Sequence, residues 1–359
     1  MLKINQNVIG QGHPAYIIAE VGSNFDGSFE RAKMLAKMAK DAGADAYKIQ
    51  NFLASRLVSK KGFEGLQVAH QAKWVKPADQ VYREAEFPRE WLKALADYCQ
   101  EIHIDFLSAP YDKEAVDLLD EIGVPAFKFG SGEIDNLEFL EYAAKKGKPM
   151  IVSCGACTLA DVRRAVETIK NVGNDQIILL QCITSYPTFM KNANLKAMVA
   201  LKDAFGFEVG YSDHTTSIVG GGDDPLEGIA VPLASVALGG VMIEKHFTDD
   251  ISRKGQDHSF ALPIETFKKM VDSIRALEKA MGDGVKKVEE SERETVIIQR
   301  RGIYAKENIQ PGEKISPEKI EFLRPALFLR PPQAKDILGK ESRRMINAGE
   351  PIKLDDIVQ

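Results

Sequence analysis

Residues 208–247, EVGYSDHTTSIVGGGDDPLEGIAVPLASVALGGVMIEKHF, hold one whole strand–helix–strand unit with a histidine at the downstream end of each strand. EVGYSD and MIEKHF read as strands, and the apolar run LEGIAVPLASVALGG between them has the length of a helix. Two strands joined this way run parallel. In parallel α/β sheets ligand chemistry is built at the C-terminal strand ends, where His214 and His246 fall. Neutral imidazole is also a common ligand of divalent metals. The stretch therefore predicts a parallel α/β architecture with a metal-assisted site.

The same alternation extends upstream. Strand-like runs recur at 15–22 (AYIIAEVG), 46–50 (AYKIQ), 105–110 (DFLSAP), 126–132 (AFKFGSG), 149–155 (PMIVSCG) and 177–183 (IILLQCI). Helical-period segments lie between them, and IETFKKMVDSIRALEKAMG closes the series. Eight strands each followed by a helix predict an α/β fold of the (β/α)8 TIM-barrel type over residues 1–282. An open doubly wound sheet is the structural competitor. Two connections are longer than the pattern needs: the one from Gln50 through Trp74 to about Phe87, read as a lid or wall, and SIVGGGDDPLEG. Residues 283–298 (DGVKKVEESERET and beyond) read as a charged linker. Residues 299–359 form a small second domain with an internal echo. Ile309, Gly312, Glu313, Ile315 and Ile320 recur at the offsets of Ile346, Gly349, Glu350, Ile352 and Ile357.

Composition narrows the class. The chain has 359 residues, 44% of them hydrophobic, and a net charge of −5, which is material for a large core and speaks against a nucleic-acid surface. The N-terminus lacks a signal-peptide pattern and no apolar run could cross a bilayer, so a cytoplasmic enzyme without a membrane partner is expected. Four scattered cysteines give no disulfide framework. Cys154 and Cys157 form a CxxC with no second pair for zinc, and an incidental reading is favoured over a redox one.

Strand parity sharpens the site, because alternate side chains share a face. Ile18, Glu20 and Gly22 line up, as do Ala46, Lys48 and Gln50; Gly210, Ser212 and His214; and Glu244 and His246. Each set turns polar towards its C-terminal end, where a purely structural barrel would stay apolar. Lys48 and Lys128 with Ser131 and Ser153 suggest an anion site. Glu133 and Asp257 have equal claim to a site and to a solvated loop, and His13, His70 and His103 read as ordinary surface or core residues. Two histidines completed by carboxylate and water oxygens suit Mn²⁺ or another borderline-hard ion, with open positions for a Lewis-acid role.

The blocks AEVGSN, DAYKIQ, FLSAPYD, PAFKFGSGE, YPT, GYSDHT, EKHFT and KGQDHSF are specific enough to name a resemblance. The chain resembles the sialic acid (nonulosonic acid) synthase family, and its terminal domain resembles the antifreeze-like (SAF) domain attached to those enzymes. The resemblance implies condensation of phosphoenolpyruvate with an N-acylated amino sugar, usually N-acetylmannosamine, to give a nonulosonic acid and phosphate. It implies that His214 and His246 hold Mn²⁺ (Mg²⁺ or Co²⁺ as alternatives). Lys48, Lys128, Ser131, Ser153 and Ser212 would grip phosphoenolpyruvate; Gln50, Glu133, Tyr186 and Asp257 would meet the sugar. Glu20 would steer water, Glu133 would carry protons, and Arg324 would reach the N-acyl group of a neighbouring subunit's sugar in a domain-swapped homodimer. Three positions depart from the family pattern within the barrel: Phe25, Ala109 and Ile183. The turn Arg324-Pro325-Ala326 departs in the terminal domain and bears on the identity of the sugar. The competing readings are a legionaminic or pseudaminic acid synthase, a synthase acting on an aldose phosphate, and a non-catalytic sugar-binding scaffold.

Overall fold

The computed structural model describes residues 2–66 and 76–358. Eight parallel strands alternate with eight principal helices through Met281. The strands are β1 (Tyr16–Gly22), β2 (Ala46–Asn51), β3 (Asp105–Pro110), β4 (Phe127–Phe129), β5 (Met150–Ser153), β6 (Ile177–Cys182), β7 (Glu208–Asp213) and β8 (Met242–Thr248). The helices that follow them in turn are α1 (Phe29–Asp41), α2 (Leu92–Glu101), α3 (Lys113–Glu121), α4 (Leu137–Ala144), α5 (Leu159–Asn171), α6 (Leu195–Phe205), α7 (Ala230–Ala237) and α8 (Ile264–Met281). The hydrogen-bonded order is β3-β2-β1-β8-β7-β6-β5-β4, and its two end strands, consecutive in the chain, lie in contact. This is the nearly closed (β/α)8 barrel that the alternation predicts, and it excludes the open sheet.

Local sequence explains the elements. In α5, Thr158 and Asp161 form a reciprocal capping box, and Val162, Ala165, Val166 and Ile169 place a buried stripe against the strands. The expected helix 226–240 shortens to Ala230–Ala237, because Gly228, Gly239 and Gly240 adjoin it and φ is positive at the first two. Among the described residues, the connection from β2 to α2 carries the short α-helices Ala54–Leu57, Lys60–Phe63 and Ala78–Glu84 and a 3-10 turn Arg89–Trp91. The part of the expected lid that includes His70 and Trp74 lies outside the described residues.

The barrel interior has two storeys. Its lower layer is apolar, with Ile18, Ala46, Leu107, Ala126, Ile151, Ile178, Leu180 and Met242 buried in one cluster. An N-terminal hairpin, Leu2–Ile4 paired antiparallel with Asn7–Ile9, inserts Ile4 and Ile9 into that cluster and closes the floor. Gly210 is required where β7 meets β8: a Cβ there would come within 2.2 Å of the Met242 carbonyl oxygen and 2.8 Å of Leu180. The outer apolar layer lies between strands and helices. Among the described residues no helix is long and apolar enough to cross a membrane.

A second compact unit begins at Asp283, so the stretch expected as a linker falls within it and carries the helix Arg293–Gln299. Its sheet pairs β9 (Gly302–Ala305) with β10 (Ile320–Leu323) antiparallel. The internal echo has a structural counterpart. Ile309 and Ile346 exchange backbone hydrogen bonds of 2.8 and 3.0 Å, and all six echoed isoleucines are buried in one cluster. Gly312 and Gly349 both take positive φ, +77° and +79°. Glu313 accepts from the Gln310 amide as Glu350 accepts from the Asn347 amide.

Candidate active site

Register brings the polar upper storey together. Glu20 pairs with Lys48 across β1 and β2 and with His246 across β1 and β8; Ser212 pairs with Glu244 across β7 and β8. Lys48 Nζ lies 2.5 Å from Glu20 and 3.6 Å from Glu244, and Lys128 Nζ lies 3.2 Å from Glu244. Gln50 donates to Glu20 at 3.0 Å, and Ser212 donates to Glu244 at 3.1 Å. Two cations and two anions thus share a site from which water is almost excluded, and each must be paired to be tolerated.

Their environments push the two acids apart. Burial raises Glu20 against the pull of Lys48. Burial also opposes charge on Glu244, but Lys128 and Lys48 outweigh it and hold that carboxyl at about 2. Burial lowers Lys128, whereas Glu20 and Glu244 overcome burial at Lys48 and raise it. Separated acidities of this kind mark candidate functional groups. Ser153 on β5 is buried, and its hydroxyl has no partner among the described residues.

The two histidines stand beside this cluster with ring centroids 5.5 Å apart. His214 Nδ1 lies 2.9 Å from the Ile183 carbonyl oxygen, which can only accept. Nδ1 is therefore the donor, and in the neutral ring Nε2 keeps a lone pair. Burial pushes His246 down to about 3, which keeps it neutral at physiological pH, and its Nδ1 is buried without a partner among the described residues. Tyr186 packs on His214 at 4.3 Å between centroids and Phe260 on His246 at 5.1 Å. No group of three or more His, Cys, Asp or Glu is arranged as a metal site among the described residues. Two imidazoles, one of them with a buried Nδ1 that finds no acceptor or donor among the described residues, would leave the remaining ligands of a bound ion to water or substrate.

Above lies a cleft of about 430 Å³ lined by Gln50, Ser131, Glu133, Tyr186, His246 and Asp257 among others. Asp257 Oδ2 accepts from the Ser23 amide (2.7 Å) and hydroxyl (2.9 Å). Gly22 makes room for that carboxylate: its φ is +54°, and a Cβ there would lie 2.3 Å from Asp257 Oδ2. Glu133 is 9% exposed, and burial raises its carboxyl. Ser131 accepts from the Gly155 amide at 2.9 Å.

Most candidates from the sequence converge here. Arg324 does not belong to this unit: it is an exposed residue of the second unit, next to a cis peptide with Pro325. Phe25, a departure from the family pattern, is a core residue packed edge-on against Phe87. At Ile183 the backbone carbonyl contacts His214. Ala109 is buried opposite Gln50. All four cysteines are free, and burial raises Cys154 and takes Cys157 up to about 11, which suppresses thiolate chemistry. Two residues were given no role from sequence. Glu244 joins both lysines, and its parity with His246 was the available signal. His258 is fully buried between Thr248 and Asp26; it lies in the KGQDHSF block, but neither parity nor spacing gave it a role.

Barrel and site define an enzyme whose charged, histidine-bearing cleft opens at the C-terminal ends of the strands. The chain belongs to the NeuB family, whose model matches residues 35–286, and it carries a SAF domain at residues 300–358. It is 39% identical over 342 residues to the N,N'-diacetyllegionaminic acid synthase of Campylobacter jejuni, covering 94% of this chain and 98% of that one. It is 34% identical over 341 residues to a pseudaminic acid synthase of the same species, covering 95% and 96%. Among solved structures it is similar to the N-acetylneuraminic acid (sialic acid) synthetase of Leptospira borgpetersenii, with a TM-score of 0.69 and 32% identity over 80% of this chain and 92% of that one. The family resemblance read from the motifs is borne out: this is an enzyme of the sialic acid synthase type.

Proposed function

We propose that the enzyme condenses phosphoenolpyruvate with the open-chain aldehyde of an N-acylated amino sugar to give a nonulosonic acid and phosphate. The observation that carries this reading is the buried pair Lys48 and Lys128, set beside Ser153 and the two histidines below a polar cleft. A small dianion with a carboxylate beside its phosphate suits two adjacent ammonium groups. Lys48 and Lys128 offset its charge, while Ser131, Ser153 and Ser212 offer hydroxyl donors. A divalent cation held by His214 and His246, Mn²⁺ first with Mg²⁺ or Co²⁺ as alternatives, would polarise the sugar carbonyl.

Gln50, Tyr186 and Asp257 orient the sugar so that C3 of phosphoenolpyruvate meets the aldehyde carbon. Glu133, whose carboxyl burial favours in its protonated form, delivers a proton to the former aldehyde oxygen. Glu20 orients the water that adds at C2, and collapse of the tetrahedral centre releases phosphate. Arg324 completes the N-acyl pocket from the second unit of a partner subunit, in a domain-swapped cytoplasmic homodimer.

The sugar is unphosphorylated on this reading. Among the described residues no lysine or arginine lines the cleft, and a distal phosphate would face Glu133 and Asp257. N-acetylmannosamine is the simplest such substrate. A 2,4-diacetamido sugar is the second reading, favoured by the apolar wall of Phe52, Leu57, Val58 and Phe63 and by the similarity to legionaminic acid synthases.

The test is phosphate release from phosphoenolpyruvate with N-acetylmannosamine and Mn²⁺, repeated in EDTA, with the product identified by mass. A nine-carbon 2-keto acid formed only with metal supports the first reading; release only with the diacetamido sugar supports the second. Sugar binding in chelator without turnover of any sugar would replace both with a scaffold role.

A further inference from the structure

We propose that His258 is a positioning residue for the sugar end of the cleft, pinning the loop that carries Asp257 and Phe260 to the loop that carries Ser23. The proposal rests on the assignment of Asp257 to the sugar. His258 is wholly buried, and both ring nitrogens are engaged. Nε2 lies 2.9 Å from Asp26 Oδ1, in the loop after β1, and Nδ1 lies 2.7 Å from Thr248 Oγ1, at the end of β8. An ionised carboxylate only accepts, so Nε2 donates to it. The histidine thus spans two active-site loops whose contacting residues are 232 positions apart in the chain.

Its neighbours do the work at the cleft. Asp257 immediately precedes it and grips Ser23 through two hydrogen bonds, while Phe260 packs on His246 at 5.1 Å and on Tyr186 at 5.0 Å. Gly255 closes over the ring, where a Cβ would come within 2.6 Å of His258 Cδ2. Asp26 is in turn fixed by Arg253 at 2.8 Å and Arg31 at 3.2 Å. A buried ring with two opposed partners admits little rotation, so Asp257 inherits its position from His258. Losing the pin should loosen recognition of the sugar while sparing Lys48 and Lys128, which lie on β2 and β4.

The experiment compares H258A, H258Q and D26A with the wild-type enzyme, reading KM for each substrate together with amide hydrogen exchange. In H258A the KM for the sugar should rise by about tenfold or more, the loss of a charge-assisted hydrogen bond, with the KM for phosphoenolpyruvate within about twofold. H258Q, whose amide can donate to Asp26 from the place of Nε2, should recover part of that loss. D26A, changed at a partly exposed residue, should reproduce the H258A pattern if H258A does not fold. Amides of residues 249–262 should exchange faster in H258A or D26A, with strands β4 to β6 unchanged. Equal rises in both KM values, or an unchanged sugar KM, overturn the proposal. If no sugar is turned over by the wild-type enzyme, the functional reading has failed on its own, and exchange decides the pin: unchanged protection of 249–262 refutes it.

Discussion

At Glu133 the proposed role as proton donor and the stability of the fold pull in opposite directions. Burial raises its carboxyl, so between its ordinary value of 4.5 and the raised one the folded state binds more protons than the unfolded chain. Stability therefore falls as pH rises through that window. E133Q should have a higher urea midpoint than wild type at pH 7 and an equal one at pH 4, while kcat drops by about 10²–10⁴-fold, the usual worth of a general acid. Glu244 should behave oppositely. E244Q leaves Lys128 and Lys48 short of a buried counter-charge, and denaturant titration should show a loss of about 3–5 kcal/mol, as for a broken buried pair. Residues marked by strand parity, such as Lys48 and His246, were legible because period-2 alternation reports a face directly. The role of His258 was not, although the residue sits in the KGQDHSF block, because that role lies in a contact with Asp26 across 232 positions.

Between elements, the strands were the readable part, since each keeps an apolar lower half and a polar tip. The β2–α2 connection was legible only as an unusually long loop. Its helices Ala54–Leu57 and Lys60–Phe63 are single turns too short to show a hydrophobic period. Close approach between elements was equally hidden. G210A should lower stability by about 1–3 kcal/mol as β7 is forced from β8, measurable as a fall in Tm. G22A should act differently. Its Cβ meets Asp257 at a positive φ, so the expected result is a raised sugar KM and a thermal transition displaced far less than in G210A, which parallel melting and kinetic assays would separate.

At the scale of the molecule, each unit has its own core. A chain ending at Gly282 should therefore melt cooperatively with barrel-like circular dichroism, yet retain little synthase activity if Arg324 is needed; full activity would remove the second unit from the site. The two-unit organisation was visible in sequence as the end of the strand–helix alternation, and the echo as repeated isoleucine spacing. The role given to Arg324 rested on the family resemblance alone, since no spacing or periodicity in the second unit points to a sugar. The floor of the barrel carries a consequence for synthesis. Ile4, Ile9 and β1 leave the ribosome more than 200 residues ahead of β8, to which β1 pairs with Glu20 opposite His246. At about 5–20 residues per second that lead lasts roughly 10–45 s. Throughout it, an apolar hairpin and an unpaired strand edge stand open to other chains, so newly made protein should depend on chaperone shelter far more than the finished enzyme does.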